Sequence, residues 1–378
     1  MEQDHSLLRV ENLSVTFPSA GFILSDAEGL RAGPARDEKV TILDQVSFEV
    51  GRNEITGLVG ESGSGKTLTS LTVMGFLPPS AQVTGGHIWF QGPVPSKTEG
   101  PVPSAIEGPV PSEIEGTDLL RLGEEGMRRI RGQQIAMIFQ STRSALNPLM
   151  RIGDQVARAY QLQRGLGPAE AYQQAVEILG RMDIPQAERR ARAYPHQLSG
   201  GMCQRVLIAM MIACEPALLI ADEPTTGLDV TIQAQIFELI KDVQKATGAS
   251  ILLITHDLGV VAETCRYVVV MYAGQVMETA PVESLFARPL HPYTQRLLQS
   301  VLRVDRPVEI PQVDMPLDRG GSDEVTYGVV GCRFAPRCPL VLPRCWEERP
   351  PIREQSPEPV EGQEPDHWAA CWRLGIRD

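Results

Sequence analysis

The sequence lacks any long hydrophobic run. The longest, Val206 to Cys214, is nine residues, against the ~18–20 needed to cross a bilayer, which excludes a spanning helix. Glu2, Asp4 and Arg9 fall where a secretory signal needs an apolar core, which predicts a cytosolic chain. Basic charge is the minority: 35 Lys and Arg stand against 47 Asp and Glu, a net charge of −12. That balance argues against general affinity for nucleic acid or anionic lipid. Cysteine is sparse and odd in number, seven in 378 residues, too few for a disulfide scaffold of this length. In a reducing compartment the better readings are metal binding and buried thiols.

What is present is an ordinary globular composition, 42% hydrophobic and 22% charged, sufficient for a real core. At ~150 residues per domain, the length suggests two domains or one large domain with an appendage. Proline marks two unusual segments. Six of the 30 prolines lie between Gly92 and Glu115, and 13 lie from Pro289 onward. The first segment repeats G-P-V-P-S-x-x-E three times. Two prolines and a glycine per eight residues exclude a helix or central strand, so residues 92–116 read as an exposed loop. It follows strand-like His87–Gln91 and precedes a helix-like run after Thr117. It is either a tolerated insertion or a Pro-rich ligand for a partner. Ala20–Lys39, rich in Gly and Ala, reads as a second inserted loop.

Ile55–Val59 is a short apolar strand, followed by Gly60-Glu-Ser-Gly-Ser-Gly-Lys-Thr67 and helix-like Leu68–Met74. Strand, G-x-x-x-x-G-K-[ST] and helix in that order make a phosphate-binding loop. Gly60, Gly63 and Gly65 let the backbone curl so that N–H groups, including those at Ser62, Ser64 and Leu68, point at phosphate oxygens. The helix N-terminus adds partial positive charge. Lys66, one of only five lysines, is expected on the β- and γ-phosphates, and Thr67 on Mg²⁺. A second apolar strand, Leu218–Ala221, ends in Asp222-Glu223. An acidic pair at the carboxyl end of a parallel strand faces the phosphate crevice. Asp222 can hold Mg²⁺, and Glu223 can act as general base on an attacking water.

Further segments resemble the ATP-binding cassette family. Leu198-Ser-Gly-Gly-Met-Cys-Gln-Arg-Val206 looks like its signature, Ile138-Phe-Gln140 like its glutamine loop, and Pro224-Thr-Thr-Gly-Leu-Asp229 like the loop after the acidic pair. Ile254-Thr-His256-Asp257 looks like its switch histidine. The resemblance covers about residues 7–285 and implies an α/β fold: a mixed-sheet core, an antiparallel β-subdomain and a helical subdomain at about 149–197. It implies ATP as substrate with Mg²⁺ held by Thr67, Gln140 and Asp222, and His256 on the γ-phosphate. Ser199, Gly200, Gly201 and Gln204 would act on ATP held by a second subunit, with Asp229 in the dimer loop. Phe17 matches the aromatic that stacks on adenine. Cys203 departs from the peptide-importer branch, which usually has Arg there.

Leu290-His-Pro-Tyr-Thr294 and Gln295–Val301 resemble the C-terminal extension of dipeptide and oligopeptide importer ATPases, whose near relatives carry nickel or glutathione. The division expected is a nucleotide-binding domain at 1–287 and a small Cys- and Pro-rich extension at 288–378. Cys332, Cys338, Cys345 and Cys371 cluster in that extension without C-x₂-C pairs. Four thiolates beside prolines suit a [4Fe–4S] cluster, as in some members, with zinc or ordinary thiols as alternatives. Arg333, Arg337 and Arg344 would offset thiolate charge. Cys203, Cys214 and Cys265 read as packing residues.

The resemblance therefore implies an ATPase subunit on the cytoplasmic face of the inner membrane, powering peptide import. Its expected partners are a second ATPase subunit, often different, two transmembrane permeases and an extracytoplasmic binding protein. A DNA-maintenance ATPase would need a coiled-coil insert or a basic face. A translation factor would need two cassettes. A non-hydrolytic subunit would not keep Glu223 and His256.

Overall fold

The computed structural model describes residues 6–18, 39–92, 116–140, 145–300, 326–354 and 367–374. Most of both inserted loops, and Ser144, lie outside the described residues. In chain order the strands are β1 (Ser6–Pro18), β2 (Lys39–Gly51), β3 (Ile55–Val59), β4 (Gln82–Phe90), β5 (Thr117–Asp118) and β6 (Ile135–Ile138). They continue with β7 (Leu218–Asp222), β8 (Ser250–Thr255), β9 (Tyr267–Tyr272), β10 (Gln275–Pro281), β11 (Arg353–Glu354) and β12 (Trp368–Ala369). The helices of seven residues or more are α1 (Lys66–Val73), α2 (Glu124–Ile130), α3 (Ile152–Arg164), α4 (Pro168–Arg181), α5 (Gly200–Ile212), α6 (Val230–Thr247), α7 (Leu258–Thr264) and α8 (Pro292–Gln299).

Two sheets result. The smaller is antiparallel, in the order β2-β1-β4-β5, and the larger runs β11-β12-β10-β9-β3-β8-β7-β6. Strands β9, β3, β8, β7 and β6 are parallel neighbours. Strands β10, β12 and β11 extend that sheet antiparallel. Every residue of β3, β6, β7 and β8 is buried, because parallel strands are covered on both faces and so read as continuous apolar runs. One core lies between the large sheet and the antiparallel sheet, through Leu8, Val10, Phe48 and Ile88. The other packs the opposite sheet face against α3–α6, through Val156, Leu179, Val206 and Ile240.

The run after Thr117 departs from expectation. It starts as a short strand and a 3₁₀ turn, and the α-helix begins only at Glu124. The cause is Asp118, whose carboxylate accepts from the N–H of Ile88 and of Leu120, both at 3.2 Å. This side chain offers the backbone a turn in place of a helix. Among the described residues, no helix is long and apolar enough to cross a membrane.

Candidate functional site

The phosphate loop is stretched between the end of β3 and the start of α1. Gly60 must be glycine because a Cβ there would run into the carbonyl oxygen of Met271. Gly65 caps α1 at φ 97°, a left-handed conformation that glycine adopts without steric cost. The Lys66 ammonium, 5% exposed, lies across the loop and donates to the carbonyls of Gly60 (2.7 Å) and Glu61 (2.9 Å) and to Ser64 Oγ (3.3 Å). Burial lowers its pKa, opposed by the charges of Glu223, Asp222 and Glu61. Ser62, Gly63 and Thr67 are exposed, and Leu68 is half-buried.

β7 carries the acidic pair to the same place. Thr67 Oγ1 donates to Asp222 Oδ1 at 3.3 Å. Burial pushes the Asp222 pKa up to about 6, helped by the Glu223 charge and opposed by the Thr67 bond and Lys66. A buried carboxylate beside a hydroxyl, both hard oxygen donors, suits a small divalent cation. Glu223 sits at φ 44°, an unusual region for a non-glycine residue that costs about 1–3 kcal/mol. Its N–H donates to Ile254 O at 2.9 Å, tying it to the end of β8. Its Oε2 accepts from Gln140 Nε2 (3.1 Å) and Thr226 Oγ1 (2.9 Å), and His256 Nδ1 lies 3.3 Å from its Oε1. Four strand ends thus converge on one carboxylate and one loop. Thr226 was not singled out from the sequence, although its place three residues after Glu223 was the available signal.

Ser199 caps α5, its Oγ accepting from Met202 N–H at 3.3 Å. Among the described hydrogen bonds none joins Ser199 to residues 60–67 of the same chain. Ser199 is exposed and Gly200 half-exposed, whereas Gly201 is buried against Ile232. Gln204, expected at the same surface, is at 0% exposure. It lies inside α5, one turn from its N-terminus. Asp229 is exposed and caps α6, accepting from Ile232 N–H at 3.0 Å. Phe17 is half-buried near the end of β1, opposite Val40 of β2.

The iron–sulfur expectation is corrected, together with its zinc alternative. Among the described residues, no group of three or more His, Cys, Asp or Glu side chains could hold a metal ion. The four tail cysteines are free thiols, Cys332 buried and Cys338, Cys345 and Cys371 half-buried. Cys332 is 7% exposed in the main core, with Cys338 and Cys345 packed against it. Burial pushes the Cys332 thiol up to about 12 and Cys338 up to about 11, and raises Cys371. The three arginines expected beside thiolates have other partners. Arg333 donates to the carbonyls of Thr41, Ile42 and Ala273, Arg337 pairs with Glu61, and Arg344 pairs with Glu348 and lies over the Trp372 ring. Cysteine density alone could not tell these cases apart. Cys203 and Cys265 are buried in the core, in keeping with packing roles.

Comparison with known proteins agrees with this geometry. Residues 43–226 match the family described as ABC transporter, and residues 277–345 match the Oligopeptide/dipeptide transporter, C-terminal region. The chain is 43% identical to a Probable peptide ABC transporter ATP-binding protein (y4tR) of Sinorhizobium fredii, over 94% of this chain and 96% of that one. It is 42% identical to the Oligopeptide transport ATP-binding protein AppD of Bacillus subtilis, over 84% and 88%. Neither description mentions iron or sulfur. Among solved structures, the dimeric bacterial ABC transporter cassette MJ0796 superposes with a TM-score of 0.56 at 22% identity, covering 73% of this chain and 98% of that one. That likeness is one of fold.

Proposed function

This chain belongs to the ABC transporter family, and we propose that it is the ATP-hydrolysing subunit of an importer of dipeptides or oligopeptides. The observation that carries the proposal is the Glu223 carboxylate, fixed by Gln140, Thr226 and His256 beside a lysine-bearing phosphate loop. The loop N–H groups and Lys66 bind the ATP phosphates. Thr67, Asp222 and Gln140 would hold Mg²⁺, which supplies charge neutralisation on the phosphate oxygens. Glu223 orients a water whose oxygen attacks the γ-phosphorus. The bond to the leaving ADP oxygen breaks, and a water proton passes to the carboxylate. With Nδ1–H of His256 donating to Glu223, its Nε2 remains for the transferring phosphoryl group.

The exposed Ser199 and half-exposed Gly200 at the α5 N-terminus serve ATP held by a second cassette, of this or a sister chain, and Asp229 lies at the junction. Phe17 stacks on adenine. Peptide cargo, rather than nickel or glutathione, is supported by the relatives' descriptions and by the match over 277–345. Two transmembrane permeases would dock at the cytoplasmic face of the membrane, beside Gln140. There Phe76 and Phe139 are about two-fifths exposed, with ring centroids 6.3 Å apart. An extracytoplasmic binding protein would deliver the peptide. Glu223→Gln should lower ATP turnover by ~10²–10⁴-fold and abolish uptake of labelled dipeptide by the assembled transporter, with nucleotide still bound. Undiminished hydrolysis would remove Glu223 from the base role. Lys66→Ala should weaken nucleotide binding itself.

A further inference from the structure

The reaction above leaves unused a set of tail side chains that converge on the back of the phosphate loop. Tyr293, 1% exposed at the start of α8, accepts from the Glu61 N–H at 3.0 Å. Tyr327 donates from its hydroxyl to the Gly63 carbonyl at 2.7 Å, across 264 residues of sequence. Arg337 forks onto the Glu61 carboxylate, 2.8 Å to Oε2 and 3.3 Å to Oε1, and also donates to Tyr272 Oη at 3.1 Å. Burial opposes the Arg337 charge, but its hydrogen bonds to Glu61 and Tyr272 raise its pKa.

Behind this row the anchors are packed together. Tyr272, Tyr293 and Phe334 form an aromatic cluster with centroids 4.7–5.4 Å apart. The Arg333 guanidinium lies 5.1 Å over the Tyr327 ring and is bound to the carbonyls of Thr41 and Ile42 in β2 and of Ala273 between β9 and β10. The clamped segment needs such support. A Cβ at Gly63 would find nothing within 4 Å, and Ser62 and Gly63 are exposed. A glycine-rich turn without packing of its own loses much conformational freedom when it closes on a ligand. Holding it beforehand raises affinity by reducing that loss.

We propose that Tyr293, Tyr327 and Arg337 are positioning residues that hold Glu61–Gly63 in its phosphate-binding shape, so that docking of the tail sets nucleotide affinity. This rests on the reading of residues 60–67 as the nucleotide site. The Arg337–Glu61 pair is about one-third to two-fifths exposed, and solvent leaves such a pair little net strength. Its contribution is the two-point geometry of the fork. Tyr327 carries the more informative test, since Tyr327→Phe removes one hydroxyl and keeps the ring under Arg333.

The experiment measures the Kd of a fluorescent ATP analogue and the KM for ATP in the full chain, its Tyr327→Phe and Tyr327→Phe/Arg337→Gln variants, and Arg337→Lys. Melting midpoints without nucleotide are recorded alongside. The expected result is a rise in Kd and KM of at least threefold in Tyr327→Phe, larger in the double variant and smaller in Arg337→Lys, with ligand-free midpoints within a degree of wild type. Unchanged affinity, or a rise that only tracks a lowered midpoint, overturns the clamp. Because coupling between sites is reciprocal, saturating nucleotide must also slow amide exchange of residues 326–338 in the unaltered chain, and no slowing overturns it equally. Lys66→Ala separates the two readings: if it leaves the analogue bound as tightly as wild type, the nucleotide site itself is misplaced.

Discussion

Burial of the His291 imidazole, 1% exposed with its ring centroid 5.9 Å from that of Phe334, pulls its pKa down to about 4, and the Glu278 charge restores only part. The neutral ring is needed, because its Nδ1 accepts from Tyr293 N–H at 3.0 Å and so caps α8. Glu278, itself buried, accepts from the N–H of Leu290 and of His291 and lies 2.7 Å from His367 Nε2. Between the ordinary histidine range and about pH 4, the unfolded chain binds a proton at His291 that the folded chain refuses. Its contribution is therefore present above about pH 6.5 and is lost as pH falls toward 4, by at most ~1.4 kcal/mol per pH unit. Urea midpoints at pH 7 and pH 5 should show wild type losing stability across that interval. His291→Asn, which keeps a capping acceptor, should lose less. Equal losses would remove His291 as the source.

At the scale of elements, the switch strand and helix offer the sharpest case. Asp257 Oδ1 accepts from the N–H of Gly259 at 2.8 Å and of Val260 at 3.2 Å, starting α7 directly after His256. Asp257→Ala should lower stability by about 1 kcal/mol, read as a urea midpoint, and should loosen His256 enough to lower turnover. An unchanged midpoint would mean that α7 needs no cap. Elements of this kind were legible in the sequence. Ile55–Val59 and Leu218–Ala221 are apolar runs that lie in strands. The loop at 60–67 was legible because backbone curvature and phosphate charge dictate Gly60, Gly65 and Lys66 individually. Thr117 was misread because the structure there depends on where the Asp118 carboxylate points, which no periodicity records. The contact between Tyr327 and Gly63 was invisible for a related reason: its partners share no local pattern.

For the whole molecule, the tail is part of the catalytic sheet. Strand β12 pairs with β10, and β11 pairs with β12, so Arg353–Glu354 and Trp368–Ala369 extend the sheet that holds β3. Removing residues 326–378 would bare the β10 edge and strand buried acceptors that Arg333 and His367 now satisfy. An exposed edge also invites pairing with other chains. The truncated protein should melt more than about 5 °C lower and aggregate on concentration. A soluble chain with an unchanged midpoint would make the tail a dispensable module. Reading the tail cysteines as cluster ligands failed at this same scale. Whether side chains close up into a ligand set depends on how segments far apart in the sequence pack together, which residue spacing alone does not record.

The reach of Arg333 back to Thr41 and Ile42, 292 and 291 residues away, has a consequence for the order of events during synthesis. At ~5–20 residues per second, the ribosome spends roughly 15–60 s between making those carbonyls and making the guanidinium that binds them. The hairpin of β1 and β2 can close early, as local pairings do. The phosphate loop follows soon after, yet the hydroxyl and guanidinium that steady it emerge only with residues 327 and 337. A nascent chain therefore carries every nucleotide motif well before it can grip ATP firmly, and full affinity arrives with completion of the sheet.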